Sequence, residues 1–149
     1  MRSVVQRVSH ASVKIDGELY NQISNGLLVF VGIAHDDNEK DLTYIADKIT
    51  NLRIFEDENE RMNHSIIDIG GEALVISQFT LFGDCRKGRR PDFTSSCEPK
   101  KANLMYEKLI DELKKRQLVV KTGIFGADMK IELLNDGPVT ILLDSTKLF

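Results

Sequence analysis

The chain has 149 residues, of which 42% are hydrophobic and 29% are charged, and its 20 Lys and Arg against 23 Asp and Glu give a net charge of -3. This length and composition are typical of one globular domain, so we expect residues 1–149 to form a single domain whose core needs neither a metal nor a disulfide framework. The net charge excludes a polyanion-binding protein that relies on overall positive charge, and any contact with nucleic acid must come from a local basic patch.

Cysteine and histidine usage indicates a reduced, metal-poor protein. Cys85 and Cys97 form no C-x-x-C pair, and the three histidines are scattered along the sequence. The N-terminus lacks the apolar core of a signal peptide, and the longest apolar run, residues 27–31, is far shorter than the ~20 residues of a membrane helix. We therefore expect a cytoplasmic protein with no metal, no cofactor and no membrane contact.

The N-terminal part of the sequence predicts three strands in succession. Apolar and polar residues alternate within the segment 4–15, which is typical of a strand with one buried face. Short runs at 19–23 and 27–33 predict two more strands, and the tight-turn residues before each of them favour an antiparallel arrangement. Because the third run is apolar at nearly every position, we expect it at the centre of the sheet.

Two helices and a further strand are expected in the middle of the chain. Apolar residues recur at steps of three and four between residues 37 and 52, behind candidate caps at 36–38, and predict an amphipathic helix. The run 73–79 predicts a buried strand. A second helix is expected to begin near Pro99, because proline suits a first helical turn. Its expected buried stripe consists of Ala102, Met105, Leu109 and Leu113.

The C-terminal part returns to strands at 118–121, 129–134 and 139–143. The last two are separated by Asn135-Asp136-Gly137-Pro138, which is typical of a hairpin turn. Since only about 5–6% of X–Pro bonds are cis in folded proteins, frequency favours a trans bond there. Strands and helices do not alternate in a βαβ order, so we predict an α+β fold with a mostly antiparallel, barrel-like sheet and two main helices.

The segment Ser77-Gln78-Phe79-Thr80-Leu81 puts polar residues at the end of a buried strand, where such groups need partners or a ligand. Two interpretations stay open. Ser77 and Thr80 bond to the local backbone while Gln78 faces solvent, or hydroxyl and backbone N–H groups line the mouth of a pocket and hold a reacting carbonyl.

A basic segment stands out in this acidic chain. Between Arg86 and Lys101 there are six basic residues against two acidic ones, which indicates either a solvated loop or a patch that contacts phosphates. Phe93 within it could stack on a base or anchor the loop, and the loop 123–129 presents its larger side chains either to the core or to a ligand. The candidates for contact with a nucleic-acid backbone are Arg86, Lys87, Arg89 and Arg90.

Several enzyme classes leave no signature here. The sequence has no nucleophile elbow, P-loop, zinc-protease motif or dinucleotide-binding glycine motif. With three scattered histidines, an imidazole base is not expected to be central to the chemistry.

The whole chain nevertheless resembles the D-aminoacyl-tRNA deacylases, formerly called D-tyrosyl-tRNA deacylases. The matching segments, in order and at similar spacing, are residues 1–8, 48–55, 77–81, 87–91, 122–129 and 135–140. The departures are small: Phe82-Gly83-Asp84-Cys85 follows the third segment, and Ser96-Cys97 stands where alanine-like residues are usual. Both leave the pocket rim and the redox sensitivity of Cys85 and Cys97 open.

The resemblance implies an enzyme that hydrolyses the ester bond of D-aminoacyl-tRNA and has no DNA partner. It also implies a homodimer in which each active site is shared by the two subunits. It implies a cis Gly137–Pro138 bond, whose carbonyl oxygens hold the substrate's α-ammonium in the other subunit's pocket and leave no room for an L side chain. Arg7 would brace this motif. The resemblance puts Phe125 and Met129 near the terminal adenosine, and it assigns the catalytic positions to Ser77, Gln78, Phe79 and Thr80.

The mechanism and some alternatives stay open. Either Thr80 is the nucleophile or the ribose hydroxyl beside the ester assists, and we favour the second because the sequence offers Thr80 no identifiable base. Glycyl-tRNA mischarged on other tRNAs is a further candidate substrate. The alternative functions are a non-catalytic RNA-binding or interaction module and a relative that removes L-alanine from tRNA through a Gly-Pro bond that is not cis. The two motifs together favour the D-specific deacylase.

Overall fold

The computed structural model describes every residue from Met1 to Phe149. Its helices are α1 (Glu39–Asn51) and α2 (Pro99–Lys115), and a 3₁₀ helix spans Phe79–Phe82. Neither α-helix has the length and apolar character needed to cross a membrane. The strands are β1 (Arg2–Ile15), β2 (Glu18–Ile23), β3 (Gly26–Gly32), β4 (Phe55–Glu56), β5 (Met62–His64), β6 (Glu72–Ser77), β7 (Val119–Thr122) and β8 (Met129–Asp144).

β1 organises the sheet because it pairs antiparallel with three other strands. β8 runs along the whole of β1, so β3 and β2 share its opposite edge, beside residues 2–8 and 11–15 respectively. β2 and β3 are therefore both antiparallel to β1 but do not pair with each other. The predicted alternation of β1 is confirmed, with Val5, Ala11 and Val13 fully buried.

The rest of the sheet is parallel. The sequence-based expectation that the fold contains no βαβ units is therefore wrong. β3 pairs with β6 and β6 pairs with β7, both parallel, and α1 and α2 lie in the two crossovers. The two short strands β4 and β5 interrupt the first crossover, and the residues between β6 and α2 lengthen the second, so neither crossover is evident from the sequence. The α+β class with two main helices is confirmed, and three of the five strand pairings in the main sheet are antiparallel, as expected, while the other two make the sheet mixed.

Side chains close the barrel between its two end strands, β2 and β7. Asn21 Nδ2 donates a hydrogen bond of 2.7 Å to the main-chain oxygen of Thr122. Lys121 Nζ donates one of 2.8 Å to the main-chain oxygen of Gln22. The sheet order β2-β1-β3-β6-β7 thus curls into a barrel that is nearly complete.

Both predicted helices form, with the expected caps and buried faces. Asn38 Oδ1 accepts a hydrogen bond of 3.0 Å from the N–H of Lys40, while Asp41 accepts one of 3.0 Å from the N–H of Asn38, so α1 begins with a capping box. Pro99 is in the first turn of α2, and Glu98 caps that helix. The predicted stripe of α2 is buried against the main core.

β8 is one continuous strand, so the hairpin turn expected at Asn135-Asp136-Gly137-Pro138 is wrong. Gln6 faces Thr140 and Val8 faces Asn135, which leaves residues 136–139 opposite Arg7 alone. These residues form a large bulge that projects from the sheet. Its exposed tip consists of Asp136, Gly137 and Pro138. The Gly137–Pro138 bond is cis, as the resemblance implies and against the expectation from frequency alone.

Candidate active site

A cavity of about 630 Å³ opens at the end of β6. Its walls come from the ends of β3 and β6, the start of α2 and the loop that leads into β8. Most of the lining residues are hydrophobic, among them Val31, Ile76 and Ile131. An apolar cavity with a few polar groups at one end suits an organic ligand that must be held in one orientation.

The polar strand-end segment lines this cavity. β6 ends at Ser77, earlier than predicted, and the 3₁₀ helix that follows turns the chain along the cavity mouth. The N–H of Gln78 donates a hydrogen bond of 2.8 Å to the main-chain oxygen of Val31, which keeps the segment tied to β3. Ser77, Gln78 and Phe79 line the cavity, while Thr80 is exposed beside them. Gln78 is thus a half-buried residue of the cavity lining, and its amide group lies at the exposed mouth.

The hydroxyl of Thr80 is oriented by an amide. Gln78 Nε2 donates a hydrogen bond to Thr80 Oγ1, and an amide N–H is a donor that cannot remove a proton. Asp128 is the one carboxylate in the cavity lining, and it pairs with Lys130 at 2.9 Å in an exposed position. No histidine lines the cavity. The site therefore has no nucleophile paired with a base.

Two aromatic rings flank the cavity mouth. Phe79 and Phe93 meet edge to face with ring centroids 5.1 Å apart, although the Phe79 side chain remains 58% exposed. Phe93 belongs to the basic segment, and its ring anchors that segment beside the 3₁₀ helix. An aromatic face left open to solvent offers apolar area to a planar ligand.

The loop before β8 forms another wall through a tight turn. The N–H of Ala127 donates a hydrogen bond of 3.2 Å to the oxygen of Ile124, and Gly126 adopts a φ of +77° at the third position, which glycine accepts without strain. Phe125 lines the cavity and lies against Tyr106, with ring centroids 6.1 Å apart. Tyr106 is held in turn by a hydrogen bond of 2.7 Å from its hydroxyl to the oxygen of Val75.

Burial changes the ionisation of two groups in or behind the cavity. It raises the pKa of the Tyr106 hydroxyl well above its ordinary value, so this group remains a hydrogen-bond donor. Burial also raises the pKa of the Cys97 thiol, which lines the cavity, whereas Cys85 is exposed outside it. A thiol kept protonated in this way is a poor nucleophile at neutral pH.

The basic segment starts from a fixed base. Asp84 and Asp92 exchange two main-chain hydrogen bonds of 2.8 and 2.9 Å, which bring the loop 86–90 next to Phe93 and the cavity mouth. Arg86 is occupied by Asp84 at 2.5 Å, and this contact holds the pKa of the Asp84 carboxyl well below its usual range. The remaining candidates for phosphate contact are exposed and form no ion pair: Lys87, Arg89 and Arg90.

Arg7, Gly137 and Pro138 form a second cluster, which does not line the cavity. Arg7 is 5% exposed, and its Nε donates a hydrogen bond of 3.0 Å to the oxygen of Asp136 in the bulge. Its Nη1 donates one of 2.7 Å to the oxygen of Ile54. Within one chain the structure thus brings together Ser77, Gln78, Phe79, Phe125 and Met129, and leaves the Gly-Pro tip elsewhere.

Asn135 is a supporting residue that the sequence reasoning missed. Its Oδ1 accepts a hydrogen bond of 2.9 Å from the N–H of Val139, across the bulge, and its Nδ2 donates one of 3.0 Å to Thr140 Oγ1. An asparagine directly before Asp-Gly-Pro is a signal for such a side-chain-closed turn. Tyr106 was assigned no role either, and only the fold reveals its contact with Phe125.

Comparison with known proteins gives consistent matches over the full chain. A family model described as D-Tyr-tRNA(Tyr) deacylase matches residues 4–144. Two curated relatives are named D-aminoacyl-tRNA deacylase: that of Clostridioides difficile (strain 630) is 58% identical, and that of Thermosipho africanus (strain TCF52B) is 54% identical. Both alignments cover 100% of this chain and 100% of the relative.

Solved structures share the fold. One, described as "c-Myc DNA Unwinding Element Binding Protein", is 41% identical with a TM-score of 0.92 and covers 97% of this chain and 98% of its own. Another, described as "Structural Analysis of a probable eukaryotic D-amino acid tRNA deacylase", has a TM-score of 0.82 over 95% of this chain and 97% of its own. At 15% identity, this second likeness establishes the fold alone.

Proposed function

Since the chain belongs to the D-Tyr-tRNA(Tyr) deacylase family, we propose that it is a D-aminoacyl-tRNA deacylase, a hydrolase that cleaves the ester bond between a D-amino acid and the terminal ribose of tRNA. Water adds to the ester carbonyl carbon, the bond to the ribose oxygen breaks, and that oxygen takes up a proton. The products are a free D-amino acid and tRNA. The observation that carries the proposal is the convergence of residues 77–79 and 125–129 on one cavity.

The cavity supplies the two environments that this substrate needs. We assign the terminal adenosine to the wall that contains Phe125 and Met129, because a purine gains most from flat and polarisable apolar surface. The ester then lies at the end of β6, near Ser77 and Gln78. Such fixed orientation provides a large part of the acceleration for an ester, which is an intrinsically reactive substrate.

The proposed chemistry relies on the substrate rather than on a protein nucleophile. Thr80 receives a hydrogen bond from Gln78 and contacts no base, so its hydroxyl is not activated. The ribose hydroxyl next to the ester is the better candidate for assisting the attack of water. Because a 3₁₀ helix leaves its first N–H groups without acceptors inside the helix, we assign those of Phe79 and Thr80 to the oxygen that becomes negative.

We further propose that two chains form a homodimer and complete each other's active sites. The Gly137–Pro138 tip is exposed and does not line its own cavity, so it can act on substrate only in the cavity of a second copy. The same strand exposes Leu134 and Leu142 on either side of the bulge, at 55% and 57%. Apolar side chains that flank a projecting tip favour a self-complementary contact.

In this dimer the tip would read the chirality of the substrate. The main-chain oxygens of Gly137 and Pro138 would accept hydrogen bonds from the α-ammonium, so that the side chain of an L-amino acid would collide with the tip. Rejection by a factor of about a thousand requires roughly 4 kcal/mol between the two transition states, which a steric wall can provide. Glycyl-tRNA would escape this rejection, because glycine has no side chain to collide.

The free cations of the loop 86–90 would contact the acceptor end of the tRNA. Lys87, Arg89 and Arg90 are exposed and unpaired on a loop whose base adjoins Phe93 at the cavity mouth. Contacts with phosphates weaken with salt, so binding of tRNA should lose affinity steeply as ionic strength rises. An aminoacyl-tRNA substrate would place the activity in the cytoplasm, where translation occurs.

A nucleic-acid-binding module without catalysis is the second candidate. The lack of a nucleophile paired with a base in the cavity favours it, as does the similarity to a solved structure named for binding a DNA element. The two candidates differ in one observable, which is whether bound aminoacyl-tRNA is hydrolysed.

The deciding experiment incubates purified protein with D-tyrosyl-tRNA in the presence of a chelator and follows both the release of D-tyrosine and the binding of tRNA. We expect release well above the spontaneous rate. The Phe79→Ala variant should lose most of this activity, while Phe149→Ala, which changes an exposed aromatic residue outside the cavity, should retain it. Binding of tRNA without any release would contradict the deacylase and support the binding module.

A further inference from the structure

Gly123 is a glycine whose backbone does not require one. Its φ lies outside the left-handed region, in contrast to Gly126 three residues later. A Cβ added at Gly123 would, however, overlap the sulfur of Met129 and lie 3.2 Å from Cδ1 of Ile76. The missing side chain therefore provides space for the Met129 thioether rather than backbone freedom.

We propose that Gly123 is a positioning residue for substrate binding, which keeps the cavity wide by seating the side chain of Met129 in its wall. This inference rests on the proposed function, because the volume it protects is the one assigned to the terminal adenosine of the substrate. Gly123 does not itself line the cavity, whereas Met129 and Ile76 both do. It acts through Met129 and is a positioning residue.

The direction in which Met129 would move follows from the packing around it. Met129 lies against the smaller core cluster, whose members Val8, Leu28 and Leu74 are fully buried. A packed core has no room for a displaced thioether, and the cavity is the free volume that adjoins it. Since van der Waals contact requires about 3.5–4.0 Å, a methyl group at position 123 would push the sulfur towards the cavity.

This substitution should alter binding more than folding. Methionine is unbranched and has three rotatable bonds, so its side chain can adopt another rotamer at little cost. A narrower cavity would weaken the binding of the substrate and of the transition state equally. The KM would therefore rise while kcat stays unchanged. For Gly123→Ala we expect the KM for D-tyrosyl-tRNA to rise about tenfold, with kcat within a factor of about two.

The test compares Gly123→Ala, Met129→Ala and the double variant with the wild type. If the methyl group acts by displacing Met129, adding Gly123→Ala to Met129→Ala should cause no further rise in KM, because the obstructing sulfur is absent. Gly71→Ala is the matched control: its Cβ would also press on its surroundings, 3.0 Å from Ile66 Cγ1, 3.1 Å from Ile69 Cδ1 and 3.2 Å from the main-chain oxygen of Asn25, but away from the cavity. It should leave KM unchanged.

Two results would overturn the inference: a KM for Gly123→Ala equal to that of the wild type, or the same rise in KM with and without the Met129 side chain. If the wild-type protein releases no D-tyrosine, the proposed function itself fails. The inference is then judged from a crystal structure of Gly123→Ala. A Met129 sulfur moved into the cavity supports it, and an unmoved sulfur contradicts it.

Discussion

The buried guanidinium of Arg7 donates a hydrogen bond of 3.0 Å from Nε to the main-chain oxygen of Asp136, the first residue of the exposed tip of β8. Its Nη1 donates a second bond of 2.7 Å to the oxygen of Ile54, just before β4. One side chain thus fixes the tip to a neighbouring part of the fold. A planar guanidinium can make both bonds at once, whereas a lysine ammonium at the same position cannot match that geometry.

Arg7→Lys should therefore loosen the tip while the protein remains folded. We expect kcat/KM for D-tyrosyl-tRNA to fall about 100-fold, because small errors in orientation are costly to catalysis. The free energy of unfolding should fall by about 1–3 kcal/mol, since the oxygen of Ile54 loses its buried partner. Steady-state kinetics and urea unfolding measure the two effects. Arg116→Lys, at a partly exposed ion pair with Glu112 of α2, is the control, and an Arg7→Lys protein with full activity would rule out the bracing role.

Gly137 cannot be replaced without moving its neighbours. It has a φ of +128°, and an added Cβ would lie 2.8 Å from Val139 Cγ2 and 3.0 Å from Arg7 Nη2. We expect Gly137→Ala to reduce kcat/KM by at least about 100-fold. Gly17→Ala is a matched control, because that residue also has a positive φ, +81°, but has nothing within 4 Å of the added Cβ. It should affect stability alone.

Gly137→Ala, combined with Phe79→Ala, also tests whether active sites are shared between subunits. Phe79→Ala damages the cavity and Gly137→Ala damages the tip, so a hybrid dimer of the two would keep one intact site. When the two inactive proteins are unfolded together and refolded, about half of the dimers should be hybrids, and about a quarter of wild-type activity should return. Activity that stays at the level of the separate variants would indicate that each chain acts alone.

Thr80→Ala should retain activity within about tenfold of the wild type, because the Thr80 hydroxyl has no base to activate it. In contrast, a substrate whose terminal ribose lacks the hydroxyl next to the ester should be hydrolysed at least about 1,000-fold more slowly, as expected when an assisting group is removed. Single-turnover rates on the two substrates measure both effects. A Thr80→Ala protein that binds tRNA but is inactive would identify Thr80 as the nucleophile.

Asp144 links the end of β8 to β1 and makes stability depend on pH. Burial tends to raise its pKa, but hydrogen bonds from Thr146 and from Arg2, 3.0 Å away, outweigh burial, so the pKa lies below its ordinary value. A carboxyl whose pKa is lowered in the folded state stabilises the protein above its unfolded pKa, about 3.9, and this stabilisation is lost as pH falls towards the folded pKa.

Asp144→Asn should thus be less stable than the wild type by about 1–2 kcal/mol at pH 7, and this difference should shrink below about pH 4. Urea unfolding at several pH values measures it. Asp111→Asn, at an exposed position of α2, should unfold like the wild type throughout. A difference for Asp144→Asn that is constant down to pH 2.5 would show that the carboxylate charge is not responsible.

The helices and most strands could be predicted from the sequence because their signals are local. The capping residue Asn38, the apolar steps of α1 and the proline at the start of α2 each act within one or two turns. The parallel pairing of β3 with β6 has no such signal, because it depends on a helix and a long loop that bring distant residues together.

The bulge in β8 shows why part of the site could not be predicted. Asp136-Gly137 has the composition of a hairpin turn, and only the continuous pairing of β1 with residues on both sides makes it an insertion within one strand. Likewise, Ser77, Gln78 and Phe79 are recognisable from sequence as polar and aromatic residues at a strand end. Their meeting with Phe125 and Met129 depends on tertiary packing.

The central claim is that this site hydrolyses D-aminoacyl-tRNA and spares the L form. The most direct test is a comparison of single-turnover rates on D-tyrosyl-tRNA and L-tyrosyl-tRNA, prepared from the same tRNA and assayed with one protein preparation. We predict that the D substrate is hydrolysed at least about a thousand times faster, equivalent to roughly 4 kcal/mol of discrimination. Equal rates, or faster hydrolysis of the L substrate, would contradict the account.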